Sequence, residues 1–574
     1  MRALKRLFLI IAALFLLILA TGIIIPVFFK DELIQSVIKG LNKQINTPVK
    51  VDKVDISVWK SFPDMTVTFD NVFVFEGIAK SLDPLLKAEK MHFSLDVLKL
   101  IRKDYQIKDI SIQDGEIFMK IFSNGSNNYT VFNTDTSKND GKDAVSFKLD
   151  KVLCDNIIFH YMDDANKSKI KLHLDELVAS LNARSDQYNI ELESRLNETL
   201  IELPAYQIKR KDQLLLESEF TYDDADKKLL FNDMSLLLNE EHYLVDGQYD
   251  FSEKQYLDID IKSHEATLQT IVEILPGELG DQVRAYKAKG SLEFNASFKG
   301  IIDKPAININ FGCTDGTVFH PEIDKKFSNI HMSGSFTNGN LLSGRSSVLK
   351  IKGLSAEMDG KDIFGNVTLS NFDKLYINGD LDGKIDVPTL LAMAGVKEIR
   401  TSDGTLDTQL KFSGIVDDLK HDFSKGRFKV SGETSLKNGQ LKLNTFPIQF
   451  EDFNGRFLFN NNDVAVMNFH GKMGESDFLL NGLFRNLISY LVLPDQKLKI
   501  EAELKCDQLN LNELLAPYTK ETNQQKELKS FDITEHYDIN FETDIKKLSY
   551  RNFQGRNLQG NLKIKEKIAV LENG

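Results

Sequence analysis

This 574-residue sequence has only three cysteines, and its 71 Lys and Arg residues are fewer than its 84 Asp and Glu residues. Its net charge is −13 and its pI is near 5.4, which argues against a nucleic-acid binder, since neutralising phosphates requires a basic surface. The cysteines Cys154, Cys313 and Cys506 lie far apart, without a CxxC pair. This spacing argues against both a disulfide framework and a zinc site, and it predicts small buried apolar side chains instead.

Sequence motifs for catalysis are also missing. None of the ten histidines forms an HExxH pair, and no P-loop, GxSxG elbow or dinucleotide fingerprint is present. Asp380, Asp382 and Asp386 resemble part of a calcium loop, but Leu391 stands where the twelfth-position Glu should be, which predicts a turn between strands. We therefore predict no catalytic residue, no metal ligand, no cofactor and no enzymatic activity, although an exported hydrolase with an unrecognised site is the third and weakest hypothesis.

Residues 7–29 form an uncharged apolar run that is long enough to span a bilayer as a helix. Arg2, Lys5 and Arg6 precede it, which predicts a cytoplasmic N-terminus and export of everything after residue 30. The alternative is a cleaved signal peptide, which normally has a shorter apolar region. We favour an uncleaved signal anchor, with predicted membrane contacts at Leu7, Phe8, Leu9, Leu14, Phe15, Leu16, Leu17, Ile23, Ile24, Ile25, Phe28 and Phe29.

The segment that follows, residues 31–46, has apolar residues at helical spacing. It predicts an amphipathic helix that ends at Thr47-Pro48 and either lies on the membrane or packs against its own domain. The residues of its apolar face are Leu33, Ile34, Val37, Ile38, Leu41 and Ile45.

From Val49 almost to the C-terminus, apolar and polar residues alternate, and Asn-Gly and Asp-Gly pairs punctuate the pattern. This predicts many half-buried strands joined by tight turns, in a sheet with one face shielded from water and the other exposed to it. Residues 108–132 are typical and predict a hairpin that turns at Asp114-Gly115. Five residues of this segment are predicted to belong to an apolar lining: Ile110, Ile112, Ile117, Met119 and Ile121.

Part of the pattern repeats along the chain. Residues 290–305 resemble residues 404–419, and short helical segments recur at Leu268, Leu390 and Leu514. A unit of strands, a short helix and more strands is therefore predicted to repeat about every 115–125 residues, as in elongated arrays. The last unit is cut short, so we expect either an open C-terminal edge or an incomplete chain.

The anchor, the helix and the stretch NTPVKVDKVDISVWKSFPDMTVTFDNVFV resemble the start of AsmA-family proteins. Further matches are IKDISIQDGEIFMKIFSNGSNNYTVF and the strand–turn–strand at residues 149–181. The C-terminal part is similar to the family's AsmA-like C-terminal region. The resemblance implies an inner-membrane protein of diderm bacteria that projects into the periplasm. The resemblance also implies similarity to TamB-related, bridge-like proteins, in which a curved sheet holds acyl chains in an apolar groove.

The resulting fold prediction is mainly β: a transmembrane helix, then an elongated, curved antiparallel β-groove built from repeats with short interspersed helices. A filled sandwich core is the alternative to the groove. The predicted function is to hold or conduct phospholipid acyl chains for outer-membrane lipid homeostasis, and the alternative is a periplasmic scaffold that assists outer-membrane proteins by strand addition. The predicted sections are the tip and anchor at 1–30, the helix at 31–48, and groove regions at 49–265 and 266–574.

Overall fold

The computed structural model describes most of the chain after residue 45. The predicted membrane anchor and residues 31–45 of the predicted amphipathic helix lie outside the described residues. Among the described helices, none combines the length and the apolar character needed to cross a bilayer. The description covers residues 46–572 except 62–63, 79–80, 97–106, 132–145, 166, 185, 204–205, 211–212, 239, 253–254, 270–284, 322, 394–398, 422–427, 444–448, 494, 516–518, 523–524, 529–535 and 566–567.

The described residues form two compact units, both mainly β. The first comprises those up to Ala266 and Ser297–Pro305, and the second those of Thr267–Val272, Val283–Ala296 and Ala306–Gly574. This division does not test the sections predicted from the sequence, which stay predictions. The first thirteen strands are β1 Val49–Lys50, β2 Lys53–Ser61, β3 Asp64–Phe75, β4 Pro84–Leu95, β5 Ile107–Ile121, β6 Ser146–Asp163, β7 Ser168–Arg184, β8 Gln187–Leu203, β9 Tyr206–Arg210, β10 Leu214–Asp223, β11 Lys228–Leu238, β12 Glu241–Asp250 and β13 Tyr256–Thr267.

A few short helices are interspersed among the remaining strands, as the sequence predicts. The strands are β14 Lys287–Ile301, β15 Ala306–His320, β16 Lys325–Thr337, β17 Val348–Met358, β18 Lys361–Ser370, β19 Tyr376–Asp386, β20 Ile399–Ile415, β21 Lys429–Leu443, β22 Gln449–Asn460, β23 Asp463–Met473, β24 Ser476–Arg485, β25 Leu498–Cys506, β26 Leu509–Asn510, β27 Thr519–Thr522, β28 Gln525–Leu528, β29 Tyr537–Tyr550, β30 Phe553–Lys565 and β31 Ile568–Glu572. The helices are α1 Val387–Met393, α2 Val416–His421, α3 Leu487–Val492 and α4 Leu511–Leu515, with a 3-10 turn at Gly344–Ser346.

In each unit neighbouring strands pair mostly in chain order and antiparallel. In the first unit β3 pairs with β1, β2 and β4, and the order continues through β5, β6, β7, β8, β10, β11, β12 and β13. The prediction of a purely antiparallel sheet is wrong at two places. Strands β5 and β6 pair in parallel, as do β25 and β29, because each pair is joined by a long connection rather than a tight turn.

The predicted hairpin turn at Asp114-Gly115 is also wrong, because β5 runs unbroken from Ile107 to Ile121. Asp114 has a φ of 51°, and the pairing with β4 and β6 resumes on either side of it. Asn438-Gly439 lies in the same way within β21. A left-handed Asn or Asp before a Gly suits a mid-strand bulge as well as a tight turn, so the sequence pattern alone does not distinguish them.

Bulges of this kind recur near the middle of many strands. Left-handed residues inside strands include Asn71, Asp114, Asn156, Asp233, Asp315, Asn329, Gly353, Asn438, Asp452, Asn468 and Asn557. Four of them donate their backbone N–H to a side-chain oxygen of the next strand. In three pairs the acceptor is 13 residues further along the chain: Asp233 with Asp246 at 3.1 Å, Gly353 with Asn366 at 2.9 Å and Asn468 with Asn481 at 2.7 Å. In the fourth, Asn438 donates to Asn454 at 3.0 Å.

The bulges decide which side chains share a face. Side chains alternate along a strand, so Ile112 and Ile117, five positions apart, would point to opposite faces of a regular strand. The extra residue at Asp114 reverses the alternation, and both isoleucines belong to one hydrophobic cluster. Cys154 and Ile157, on either side of the left-handed Asn156, share that cluster in the same way. In such a strand, the side chains before the bulge and those after it follow opposite alternation. Together the two halves therefore form one continuous apolar face.

The repeat predicted from residues 290–305 and 404–419 has a structural counterpart within the second unit. Gly290 has a φ of 128°, and a Cβ added there would lie 2.5 Å from Gly316 Cα. Gly404 has a φ of 120°, and its added Cβ would lie 2.7 Å from Gly439 Cα. Both glycines therefore face the bulge of the following strand with almost no space between the two backbones.

Candidate functional site: the apolar face

The apolar face of the first unit is formed by two hydrophobic clusters that share residues. One spans β1 to β5 around Met65, Val67 and Phe69, and the other spans β4 to β10 around Ile157 and Leu174. Half-buried Val74, Met91 and Ile110 pack against both clusters, so one apolar surface continues across these strands.

Several of the five predicted lining residues of β5 lie along this surface. Ile110, Ile112 and Ile117 are members of the clusters. Met119 and Ile121 follow Ile117 at alternate positions, which places them on the same face, and both are half-buried. The role of these five residues as a lining for acyl chains stays a prediction.

The three cysteines are buried and free, as predicted. Cys154 belongs to the larger cluster of the first unit. Burial raises the pKa of the Cys154 thiol to about 11, and burial together with Asp477 and Asp507 raises that of Cys506 to about 12. Both thiols are therefore neutral near pH 7 and act as small apolar groups.

Two tyrosines near strand ends of the first unit, Tyr161 of β6 and Tyr249 of β12, have pKa values that burial raises. Burial raises the pKa of Tyr161 to about 12, and smaller contributions come from Asp163, Tyr129 and Tyr249. Both phenols are therefore neutral near pH 7 and act as half-buried aromatic groups.

Near Tyr249 the strand ends carry further aromatic side chains. Ring centroids are 6.0 Å apart for Tyr188 and Tyr222, 6.1 Å for Tyr222 and Phe251, and 4.6 Å for Tyr249 and Phe251. Phe251 is 48 % exposed although it contacts two of these rings. This edge of the sheet therefore presents a half-buried aromatic strip.

The loop after β5 is fixed by one buried amide. Asn128 is 2 % exposed; its Oδ1 accepts from the Lys120 N–H at 2.7 Å, and its Nδ2 donates to the Phe118 carbonyl at 3.0 Å. Its backbone carbonyl accepts from the Gly77 N–H at 2.8 Å. The loop is thereby tied to the start of the sheet, where the Asn46 N–H also donates to the Val131 carbonyl at 2.8 Å.

The second unit has its own apolar face, which is rich in phenylalanine. On β22, β23 and β24, Phe453 is buried, while Phe457, Phe469 and Phe478 are half-buried. Ring centroids of Phe453 and Phe469 are 5.3 Å apart, and those of Phe469 and Phe478 are 5.2 Å apart. These rings lie at the edge-to-face spacing that aromatic pairs prefer.

The predicted turn at Asp380, Asp382 and Asp386 is wrong, because all three residues lie within β19. The alternation there is typical of a half-buried strand. It places these carboxylates on one face of the sheet, and Leu381 and Ile385 on the other face. Asp382 lines two clefts on the polar face, of about 790 and 590 Å³. Among the described residues, no group of three or more His, Cys, Asp or Glu side chains is placed to hold a metal ion.

The sequence prediction missed the two aromatic groups, at the edge of the first unit and on the face of the second. For the second a signal was available. Phe450 and Phe453 flank the left-handed Asp452, and Val466 and Phe469 flank the left-handed Asn468. A switch of apolar alternation at an Asn or Asp would have placed these phenylalanines on one face with their neighbours.

The fold defines a mainly β protein in which each of the two units has an apolar face of its own. The family model described as the AsmA family matches residues 1–270, just under half of the chain. The resemblance stated for the start of the sequence is thereby confirmed, while that of the C-terminal part stays a prediction. No curated protein and no solved structure matches the chain to a significant degree.

Proposed function

We propose that this protein is anchored in the bacterial inner membrane by residues 7–29 and holds phospholipid acyl chains against its apolar face in the periplasm. The N-terminus is cytoplasmic in this proposal, and the lipids serve the outer membrane. The observation that carries the proposal is the continuous apolar face of the first unit, which falls within the part of the chain that matches the AsmA family. Partners at the outer membrane, including its proteins, are part of the same proposal.

The exposure of the face supports an occupant that is not part of the described sheet. Val152, Phe159, Leu172 and Leu177 pack against the larger cluster but are only partly buried. A filled sandwich core would bury such side chains, whereas a groove leaves them available to a ligand. An acyl chain gains about 0.8 kcal/mol for each CH₂ group that it buries. Burial of several CH₂ groups against the face therefore favours binding.

Site-specific photo-crosslinking on the full chain tests the proposal. Replacing Phe159 with p-benzoyl-phenylalanine places the probe on the apolar face, with little change in shape. Phe118 is the matched control, because its ring lies on the polar face, stacked on His160 with centroids 4.8 Å apart. We expect mass spectrometry to find phospholipid attached at position 159 and little at position 118.

Equal lipid capture at both positions, or none at position 159, would contradict the proposal. Capture of polypeptide at position 159 would instead favour the scaffold function by strand addition. Lipids that remain with the anchor do not confuse the result, because the crosslink reports only on the position of the probe.

A further inference from the structure

Four turns of the first unit, those after β7, β10, β12 and β14, are joined to one another by backbone hydrogen bonds. In each bond an N–H of one turn donates to a carbonyl of its neighbour. The donor and acceptor residues are Asp224 with Asp186 at 2.8 Å, Phe251 with Lys227 at 2.8 Å and Ile302 with Gln255 at 2.9 Å. We call these four turns the rim. Because the bonds link them in series, the side chains on the rim are held in fixed positions relative to one another.

The aromatic strip near Tyr249 lies at this rim, where the apolar face ends. Tyr222 follows Leu216 at alternate positions of β10, which places both side chains on the apolar face. Phe251 is nearly perpendicular to two neighbouring rings, at 83° to Tyr222 and 80° to Tyr249. The three rings therefore form a corner, and Phe251 is 48 % exposed, so a ligand reaches this corner from the solvent.

The turn after β10 offers one charge of each sign. The Tyr222 hydroxyl donates to Asp224 Oδ1 at 3.2 Å, which places an exposed carboxylate beside the ring corner. Lys227 of the same turn is also exposed. Among the ion pairs of the described residues none involves Asp224 or Lys227, whereas Asp226 lies 4.0 Å from Lys228. The turn is therefore complementary to a zwitterion.

The distance from the rim to the larger cluster suits one acyl chain. Tyr222 is six positions beyond Leu216, which packs against that cluster, and six positions span ~20 Å along a strand. Half of the hydrocarbon core of a bilayer is ~15 Å thick, so an acyl chain has a similar length. A lipid whose tail lies on the apolar face and reaches the cluster therefore has its headgroup at the rim.

We propose that the rim is a headgroup site that prefers phospholipids with an ammonium group, such as phosphatidylethanolamine, over anionic phospholipids. This inference rests on the proposed function, since it names the class of lipid that the apolar face holds. The ammonium group contacts the ring corner and the Asp224 carboxylate, and Lys227 contacts the phosphate.

The preference follows from the charges. A cation within about 6 Å of a ring centroid is attracted by the π-system, and a neighbouring carboxylate adds to that attraction. The headgroup of phosphatidylglycerol carries a phosphate but no cation. It can therefore contact Lys227, but it has no group that the rings and Asp224 attract.

A crosslinking competition in the full chain tests this inference. Phe231 of β11 is half-buried on the apolar face, where it pairs with Phe220, and it lies two positions beyond Leu229, which pairs with Tyr222. p-Benzoyl-phenylalanine at position 231 therefore samples the first part of a tail whose headgroup lies at the rim. The chain is reconstituted in vesicles of equal amounts of phosphatidylethanolamine and phosphatidylglycerol with identical acyl chains. Mass spectrometry gives the ratio of the two adducts.

We expect the chain with the probe alone to capture about fivefold more phosphatidylethanolamine than phosphatidylglycerol, within the range of cation–π contacts at exposed sites. Asp224→Asn keeps an acceptor for the Tyr222 hydroxyl but removes the charge, and Phe251→Leu keeps an apolar side chain but removes the ring. Each should lower the ratio to about twofold or less without lowering the total amount of captured lipid. Asp226→Asn is the matched control, because it removes the same charge from the same turn beside Lys228 and should leave the ratio unchanged.

Equal capture of both lipids, or a preference for phosphatidylglycerol, would overturn the inference and leave the proposed function standing. A ratio that Asp224→Asn and Asp226→Asn change equally would also overturn it, since the preference would then come from the general charge of the rim. Lipid at position 159 with none at position 231 would show that tails do not start at the rim. Absence of lipid at both positions would overturn the proposed function itself.

Discussion

The side-chain amide of Asn156 donates to the carboxylate of Asp114 at 2.7 Å, and both residues hold a left-handed backbone in the middle of neighbouring parallel strands. His173 of the next strand lies 3.0 Å from Asn156 Oδ1 through its Nε2. The two bulges are thus joined by side chains on the polar face while the clusters occupy the apolar face. We attribute the continuity of that apolar face to this row of bulges.

Replacing Asn156 with valine should destabilise the first unit by about 1–3 kcal/mol, because a β-branched side chain is strained at positive φ and the Asp114 contact is lost. Asn156→Gly should cost less than about 1 kcal/mol, since glycine adopts this conformation freely. Urea unfolding followed by tryptophan fluorescence or circular dichroism measures both values.

Asp155→Val is the control for that comparison. Asp155 is an exposed neighbour of Asn156 without a left-handed backbone, so its loss should change stability by no more than about 0.5 kcal/mol. If the valine variants at positions 155 and 156 unfold at the same urea concentration, the left-handed conformation does not matter for stability.

Much of the fold could be predicted from local pattern. Alternation along the strands, the short helices near Leu390 and Leu514 and the apolar character of Ile110, Ile112 and Ile117 all follow from side-chain periodicity. The match of residues 1–270 to the AsmA family model likewise follows from the order of motifs in the first part of the chain.

The turns could not be predicted in the same way. A left-handed Asp followed by Gly satisfies a two-residue hairpin and a bulge equally well, and only pairing on both sides of Asp114 distinguishes them. The parallel pairing of β5 and β6 depends on which strand the chain returns to after residue 121, and local sequence does not encode that choice. The aromatic strip near Tyr249 joins the ends of β8, β10 and β12, and it therefore depends on the order in which strands pair, which local sequence does not encode.

Gly290 and Gly404 should respond alike to mutation, because both face a bulge of the next strand at close range. An alanine at either position combines a φ above 100° with a Cβ less than 3 Å from a backbone Cα, so we expect a loss of about 2–4 kcal/mol. Thermal unfolding of Gly290→Ala and Gly404→Ala gives the comparison. Gly353→Ala is the control, since its Cβ would meet no atom within 4 Å and only the φ of 59° opposes it. A larger loss at Gly353 than at the other two would refute the close-approach explanation.

Thiol reactivity should report on the folded state. Because the thiolate is the reactive form and burial raises the pKa of Cys154 to about 11, iodoacetamide at pH 8 should label the native chain far more slowly than the chain in urea.

The raised thiol pKa values also stabilise the fold at pH values below the ordinary thiol pKa of about 8.5. That contribution to stability is lost as the pH rises toward about 11. A chain with Cys154→Ala and Cys506→Ala should therefore lose less stability between these pH values. Rapid labelling of the native wild-type chain at pH 8 would show that the thiols are accessible.

Asn128 should be the residue on which the loop after β5 depends. Asn128→Ala leaves the Lys120 N–H and the Phe118 carbonyl, both in half-buried residues, without their side-chain partner, which costs up to about 1–3 kcal/mol for each unsatisfied group. Since these groups lie at the junction of the loop with β5, the loss should appear as faster proteolysis between residues 122 and 131 and faster hydrogen exchange there. Asn124→Ala is the control, because the Asn124 carboxamide oxygen accepts only from Ser126 in an exposed turn, through its N–H at 3.0 Å and its hydroxyl at 2.7 Å. If both variants are cleaved at the wild-type rate, the loop is held by its backbone contacts to Gly77 and Asn46 instead.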